Sequence, residues 1–288
     1  MLLRNIFSNI PSKTADEIRA LIETAGRPDY KILDVRQPSE YQSGHIPGAM
    51  LIPLPELTHK WRELDPEKPT IAYCRAGNRS LAAAMILLSA GFKDVFNMDG
   101  GMNAWKGLKA TGGPEAGMSV ISPDTDLESM VAAAWAMEKG TGAFYSKVAE
   151  GSGEGPAASL FRELVVAEKG HASSLLGVYN QIARDPGEDS ITAKAADITG
   201  GSAYMEGGIL LDEATNWATG KNPEDLLEFS MSMETNSYDL YLKITQRVED
   251  DLSAEIFKSL ADEEWKHLGK IGEFLDEFYG DKKRASGQ

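Results

Sequence analysis

The sequence predicts two domains: an α/β domain, with a mainly parallel sheet and helices on both faces, followed by an all-α four-helix bundle. Short β-like runs alternate with helical patterns up to about residue 113, whereas only helical patterns follow residue 124. A stretch containing Gly and Pro, residues 111–119, lies between the two regions. Charge changes at the same place. Residues 1–113 hold 14 Lys and Arg against 12 Asp and Glu, and the remainder holds 15 against 32.

These observations place the first domain at residues 1–113, a linker at 114–123, the bundle at 124–280 and a C-terminal tail at 281–288. No apolar run approaches the roughly 18 residues of a membrane span, and the N-terminal residues lack the features of a secretory signal. The net charge of −15 argues against nucleic-acid binding. We therefore expect a cytoplasmic protein with neither a nucleic-acid nor a membrane partner.

The elements of the first domain follow from apolar runs bounded by turn residues. Strands are predicted at residues 31–35, 49–52, 70–73 and 94–98, and a helix at residues 80–90. The second domain contains longer helical patterns. Its four helices are predicted near residues 125–150, 157–183, 223–250 and 252–279. The segment 184–222 is too long for a tight turn, so it predicts a long crossover between helices two and three, with room for one short helix near 208–218.

The chain contains one cysteine, Cys74, which excludes an intramolecular disulfide and any Cys-x-x-Cys site. It opens a loop between a predicted strand and a predicted helix. Backbone N–H groups of such a loop stabilise an anion, and with nearby arginines they favour a reactive thiolate over an inert buried thiol. We predict three catalytic residues, Cys74, Arg75 and Arg79. The anion-binding loop is completed by Ala76, Gly77, Asn78 and Ser80.

Four motifs in residues 1–113 resemble the rhodanese family. They are Asp34-Val-Arg36, Glu40-Tyr-x-x-Gly44-His45-Ile-Pro47-Gly48-Ala49, the Cys-Arg-x-Gly-x-Arg-Ser loop, and Gly100-Gly101-x-x-x-Trp105. The resemblance implies a rhodanese fold and a sulfurtransferase in which Cys74 takes sulfane sulfur as a persulfide, from thiosulfate or a persulfide donor. The acceptor would be an external thiol or a cyanide-like molecule. Asp34 and Arg36 are expected to support the loop, and His45 to hold a turn. The short loop resembles the sulfur-transfer type more than the longer phosphatase loop.

A second pattern is repeated at an offset of 96 residues in the predicted bundle. Glutamate followed by Glu-x-x-His occurs once on helices one and two and again on helices three and four. Each copy lies on an apolar stripe with 3-4 spacing, so all the groups face inward at one level. The residues are Glu138, Glu168, His171, Glu234, Glu264 and His267.

Burying four carboxylates without partners would cost several kcal/mol each, which two divalent cations would offset. Oxygen-rich ligation with one imidazole per metal favours iron, with manganese as the alternative, over structural zinc. No organic cofactor is indicated.

Residues 124–280 resemble the ferritin-like superfamily, within it the rubrerythrin/erythrin branch, which implies that the six residues bind a di-iron centre. Tyr145 and Tyr241 would pack beside it. Met231 stands where rubrerythrins often carry a further glutamate, and one cysteine cannot form their rubredoxin site. A redox-active centre would therefore need an external electron donor. Two alternatives stay open: an iron oxidase or peroxidase with the first domain as adaptor or sensor, and a metal-free dimerisation bundle. The resemblance also makes a homodimer plausible, because ferritin-like bundles frequently pair.

Overall fold

The computed structural model describes residues 10–24, 30–116, 125–248 and 250–286. The chain divides into two compact units, Met1–Pro114 and Glu115–Gln288. The predicted linker at 114–123 falls mainly on residues outside the described ranges. No helix in the described part of the chain combines the length and the apolar character needed to cross a membrane.

The first unit is built on a parallel sheet, as the sequence predicts. Its strands are β1 (Ser12–Thr14), β2 (Lys31–Asp34), β3 (Met50–Leu51), β4 (Thr70–Tyr73) and β5 (Val95–Asp99). Their order is β1-β5-β4-β2-β3, and every described pair is parallel. The helices that flank the sheet are α1 (Ala15–Thr24), α2 (Pro38–Gln42), α3 (Leu54–Lys60), α4 (Asn78–Ser89) and α5 (Gly101–Ala104).

Both faces of this sheet are buried. Ile32 and Ile71 belong to one apolar cluster, whereas their neighbours Leu33 and Ala72 belong to another. Because successive side chains of a strand point to opposite faces, these two clusters are the two sides of the sheet. The sequence patterns did not predict β1 or the helices α1, α2, α3 and α5. The three-residue strand Ser12–Thr14 is polar and carries no alternating apolar pattern.

The second unit is the predicted helical bundle. Its long helices are α6 (Leu127–Gly151), α7 (Pro156–Ile182), α10 (Pro223–Arg247) and α11 (Asp251–Ser286). Asp126 caps α6 by accepting a hydrogen bond from the Ser129 N–H, and Asn222 caps α10 in the same way. Helices α6 and α7 pack together, as do α10 and α11. The short connections within each pair make its helices antiparallel.

Two parts of the unit differ from the prediction. Helix α11 continues to Ser286 instead of ending near residue 279, so most of the predicted tail at 281–288 is helical; residues 281–286 contain no Pro or Gly to end it. The crossover also contains more structure than the single short helix we expected near 208–218. It holds helix α8 (Glu188–Thr199), a hairpin of β6 (Tyr204–Met205) and β7 (Ile209–Leu210), and helix α9 (Leu211–Ala218).

Candidate catalytic loop and carboxylate cluster

The predicted cysteine loop connects the end of β4 to the start of α4. Cys74 follows the last residue of β4 and is 1% exposed, and Gly77, in the left-handed conformation with φ of 93°, precedes the first turn of α4. The Gly77 N–H donates to Cys74 Sγ at 3.1 Å, and Ser80 Oγ lies 3.5 Å from the same sulfur. The loop therefore directs donors towards the sulfur, as the sequence predicts.

These donors determine the protonation of the cysteine. Burial by itself raises the pKa of the Cys74 thiol. Hydrogen bonds from the Ser80 hydroxyl and from the N–H groups of Ser80, Ala76 and Gly77 outweigh burial, so the pKa lies below its ordinary value. Thiolate is the nucleophilic form of cysteine, and the loop consequently favours the reactive state.

Arg79 is held in place by Glu40, which the sequence indicated only as part of the motif that begins with Glu40-Tyr. The carboxylate of Glu40 accepts two hydrogen bonds from the Arg79 guanidinium, both at 2.7 Å. Hydrogen bonding to Arg79 holds the pKa of Glu40 at about 2. The pKa of Arg79 lies above its ordinary value, chiefly because of the hydrogen bonds to Glu40. The charge of Cys74 raises it further. Glu40 thus orients the arginine beside the cysteine.

The other predicted loop residues are placed differently. Arg75, Ala76 and Asn78 are exposed, whereas Gly77 and Ser80 are buried. The ion pair with Glu40 holds Arg79 beside Cys74, and catalytic roles for Arg75 and Arg79 stay predictions. Behind the loop, Ser80 Oγ also lies 2.6 Å from Asn97 Oδ1, which anchors the hydroxyl to β5.

The closing glycine motif supports the loop backbone from α5. A Cβ at Gly101 would lie 2.2 Å from the carbonyl oxygen of Cys74, so a side chain there would collide with the loop. The N–H of Met102 donates to that same carbonyl at 2.8 Å. Gly101 therefore permits the close approach that holds the Cys74 backbone in place.

The supporting residues form a buried ion pair. Arg36 Nη2 and Asp34 Oδ2 are 2.6 Å apart, and the same nitrogen donates to the Gly44 carbonyl at 2.7 Å. His45 is buried against the Tyr41 ring at 3.6 Å between centroids, and its Nδ1 lies 3.0 Å from the Tyr41 carbonyl. These contacts join β2 to the turn after α2, which is the kind of supporting position expected for Asp34 and Arg36.

In the second unit, the six residues of the repeated pattern meet in the bundle interior. All six are at most 8% exposed. His171 Nδ1 lies 3.1 Å from Glu138 Oε2, and His267 Nδ1 lies 3.4 Å from both Glu234 Oε2 and Glu168 Oε1. The two imidazole rings are stacked with centroids 5.0 Å apart. The structure therefore brings together the six residues that the helical periodicity placed on inward faces.

The predicted packing tyrosines bind to this cluster across the bundle. The Tyr145 hydroxyl donates to Glu234, and the Tyr241 hydroxyl lies 3.1 Å from Glu138 Oε1. Each tyrosine therefore contacts the first glutamate of the other repeat. This reciprocal arrangement fixes the orientation of Glu138 and Glu234.

The donor set fits two metal ions. Both oxygens of Glu168 and of Glu264 are buried without a hydrogen-bond partner among the described residues. Burial, followed by the surrounding carboxylates, raises the pKa of both residues well above the ordinary value. Several groups of three ligand atoms lie within 4.8 Å of one another, including Glu138, His171 and Glu264 and also Glu234, Glu264 and His267. A cation between them would satisfy the carboxylate oxygens.

A fifth buried carboxylate, Glu206, lies beside Glu138 and Glu168 in the cluster, and the sequence patterns did not predict it. It lies between β6 and β7 and is 0% exposed. It belongs to neither repeat and lies in a short hairpin, so no spacing or helical face indicated it.

The fold and the two sites define a protein class: a parallel α/β domain with a reactive-cysteine loop, joined to a carboxylate-rich four-helix bundle. The Rhodanese-like domain family matches residues 14–108, and the Rubrerythrin family matches residues 101–179 and 225–287. The chain belongs to the rhodanese family through its first domain and carries a rubrerythrin domain after it.

Two curated relatives are similar over about a third of the chain. Thiosulfate sulfurtransferase GlpE of Pseudoalteromonas translucida is 38% identical over 89 residues, which cover 85% of that protein and 31% of this chain. GlpE of Pseudomonas syringae is 33% identical over 100 residues, covering 88% of that protein and 35% of this chain. The solution structure of the rhodanese-like domain of Anabaena sp. Alr3790 is 32% identical, covers 35% of this chain and 79% of that one, and gives a TM-score of 0.33.

Proposed function

We propose that the protein is a rhodanese-type sulfurtransferase in which Cys74 carries sulfane sulfur as a persulfide, joined to a domain that holds two divalent metal ions. The observation that carries the sulfurtransferase proposal is the set of donors around Cys74 Sγ, with the Gly77 N–H at 3.1 Å. Relatives named thiosulfate sulfurtransferase share this domain at 33–38% identity, which supports thiosulfate as a donor.

The chemistry needs a single nucleophile. The Cys74 thiolate attacks the outer sulfur of thiosulfate, a bond forms between the two sulfurs, and the S–S bond of the donor breaks as sulfite leaves with the electron pair. A thiolate or cyanide then attacks the outer sulfur of the persulfide, and the Cys74 thiolate leaves. No separate base is required, because the thiolate is regenerated at the end of the cycle.

The loop stabilises each charged state of this cycle. Its N–H groups favour the thiolate at the start, and they are available to the persulfide afterwards. Arg79, held by Glu40 through two hydrogen bonds of 2.7 Å, places a positive charge beside the sulfur for an anionic donor. Arg75 is exposed at the loop surface, where it adds positive potential for the approach of that donor.

For the metal centre, we propose the six residues of the repeat as ligands and iron as the metal, with manganese as the alternative. Bound iron would supply one-electron redox chemistry, with electrons from an external donor. The buried oxygens of Glu168 and Glu264 favour this role over a metal-free scaffold, because they have no hydrogen-bond partner among the described residues. Tyr145 and Tyr241 hold two of the glutamates in position.

Three measurements test the two parts of the proposal independently. A thiosulfate-to-cyanide assay should show turnover, and mass spectrometry after thiosulfate treatment should show one added sulfur on the protein. Absence of both from wild type would overturn the sulfurtransferase proposal. Elemental analysis after iron supplementation should find about two metals per chain, and a metal-free protein would overturn the second part.

A further inference from the structure

The crossover between α7 and α10 places a carboxylate inside the bundle. Tyr204–Met205 and Ile209–Leu210 pair as an antiparallel hairpin, and Glu206 lies at its turn with no exposed surface. The matched segments of the Rubrerythrin family, 101–179 and 225–287, leave this hairpin out. The six residues of the repeat therefore lie beside Glu206, a crossover residue that belongs to neither copy of the repeat.

The hairpin is seated directly on the backbone of α6. A Cβ at Gly140 would lie 2.1 Å from the carbonyl oxygen of Tyr204, so only glycine permits this approach. At the next residue of α6, Thr141 Oγ1 accepts a hydrogen bond of 3.1 Å from the Glu206 N–H. These two contacts fix where the Glu206 side chain enters the bundle.

Inside the bundle, the two oxygens of Glu206 are in different situations. Oε1 lies 3.1 Å from the Tyr241 hydroxyl, which is also 3.1 Å from Glu138 Oε1. Oε2 is buried and has no hydrogen-bond partner among the described residues. An oxygen of Glu206 lies within 4.8 Å of oxygens from both Glu138 and Glu168. One cation could therefore contact all three carboxylates.

We propose that Glu206 is a seventh metal ligand, acting on the ion that Glu138 and Glu168 hold. This inference rests on the proposed metal centre. Among the groups of ligand atoms within 4.8 Å of one another in the described residues, the group that contains Glu234 has no extra carboxylate, so the two proposed metal positions are inequivalent. The position next to Glu138 carries one more negative charge and binds a divalent cation more tightly. The repeat of 96 residues describes the centre only in part.

The test compares full-length wild type with Glu206→Gln, which keeps the shape of the side chain and removes its charge. Glu213→Gln is the matched control, since Glu213 is exposed on the same crossover. Metal-free proteins are titrated with Co²⁺ by calorimetry, and the visible Co²⁺ spectrum reports the coordination of each ion. The melting temperature is recorded with and without Co²⁺.

Wild type and Glu213→Gln should bind two ions in two distinguishable steps. Glu206→Gln should retain one step and lose the other, or weaken it at least about tenfold, with a changed Co²⁺ spectrum. The melting temperature of the metal-free variant should equal or exceed that of wild type, because one buried charge is gone, whereas its increase on adding Co²⁺ should be smaller.

Three outcomes would overturn the inference. If wild type and Glu206→Gln both bind two ions with equal affinities and spectra, Glu206 is not a ligand, although the metal centre stands. If wild type itself binds no Co²⁺, the proposed centre fails, and this inference fails with it. Should Glu206→Gln not fold, Glu206→Asp decides the question: a ligand shortened by one methylene loses affinity at one step, and an unchanged titration contradicts the proposal.

Discussion

The cysteine loop and the carboxylate cluster differ in how their buried negative charge is stabilised. In the loop, one buried sulfur is surrounded by N–H and hydroxyl donors, so the protein itself stabilises the negative charge. In the bundle, several carboxylates face one another. Both oxygens of Glu168 and of Glu264, and Oε2 of Glu206, have no hydrogen-bond partner among the described residues. The first site supplies its own donors to a negative charge, whereas bound cations would neutralise the carboxylates of the second. Because the two sites favour ions of opposite charge, a substitution in one can be tested while the other serves as the control.

The largest effect should come from the nucleophile. Cys74→Ser should lower thiosulfate-to-cyanide turnover at least about 1,000-fold, because an alcohol neither ionises near neutral pH nor accepts sulfane sulfur. Initial rates and intact-mass detection of the persulfide measure this loss. Metal content should be unchanged in the variant. Equal turnover in variant and wild type would contradict the assignment of Cys74.

The next effect concerns the cluster. Glu264→Gln should lower the affinity for at least one metal by about 100-fold or more, because a neutral amide replaces a charged ligand. Glu163→Gln is the control, since Glu163 is exposed on α7. Elemental analysis and Co²⁺ titration measure the change, and thiosulfate turnover should stay at the wild-type rate. A full complement of two metals in Glu264→Gln would remove Glu264 from the ligand set.

The two sites also differ in how far their sequences predict them. The loop is contiguous from Cys74 to Ser80, so the strand before it and the helix after it were enough to place its donors. The partner of Arg79 is 39 residues distant, at Glu40, and only the fold brings the two together. Local sequence therefore predicts the candidate nucleophile Cys74 and its loop, and the fold supplies Glu40, which orients the arginine.

The bundle site was predictable for a different reason. Four long helices with inward faces carry a repeat, so spacing alone brought six residues to one level, and the structure places them together. The sequence did not predict Glu206, because this residue lies in a glycine-containing hairpin that has no helical periodicity. Its burial depends on contacts of the hairpin with Gly140 and Thr141, and nothing in the sequence distinguishes these two residues from others in the helix. Metal binding by the six residues of the repeat and by Glu206 stays a prediction.

A smaller effect should follow from the arginine and its partner. Arg79→Ala should lower kcat/KM for thiosulfate roughly 10- to 100-fold, since a charge-assisted contact to the anion is lost. Glu40→Gln keeps that charge but weakens its orientation, and the loss should be roughly two- to tenfold. Arg62→Ala, at an exposed arginine of the same unit, is the control. An effect of Glu40→Gln equal to that of Arg79→Ala would show that the ion pair maintains the fold of the loop.

The smallest effect separates donors to the sulfur from general packing. The Ser80 hydroxyl, 3.5 Å from Cys74 Sγ, helps to hold the pKa of the thiol below its ordinary value against the opposing effect of burial. Ser80→Ala should raise that pKa, so the limb of the pH–rate profile that increases with pH should move to higher pH. At neutral pH the rate should fall roughly two- to tenfold, and at alkaline pH the two proteins should converge.

Thiolate absorbance during a pH titration measures the same pKa without turnover. Ser89→Ala is the matched control, because Ser89 is exposed at the end of the same helix. A lower rate for Ser80→Ala at every pH, with an unshifted titration, would mean that Ser80 acts through its contact with Asn97 and not on the sulfur. In that case the backbone N–H groups of the loop would be left as the donors that favour the thiolate.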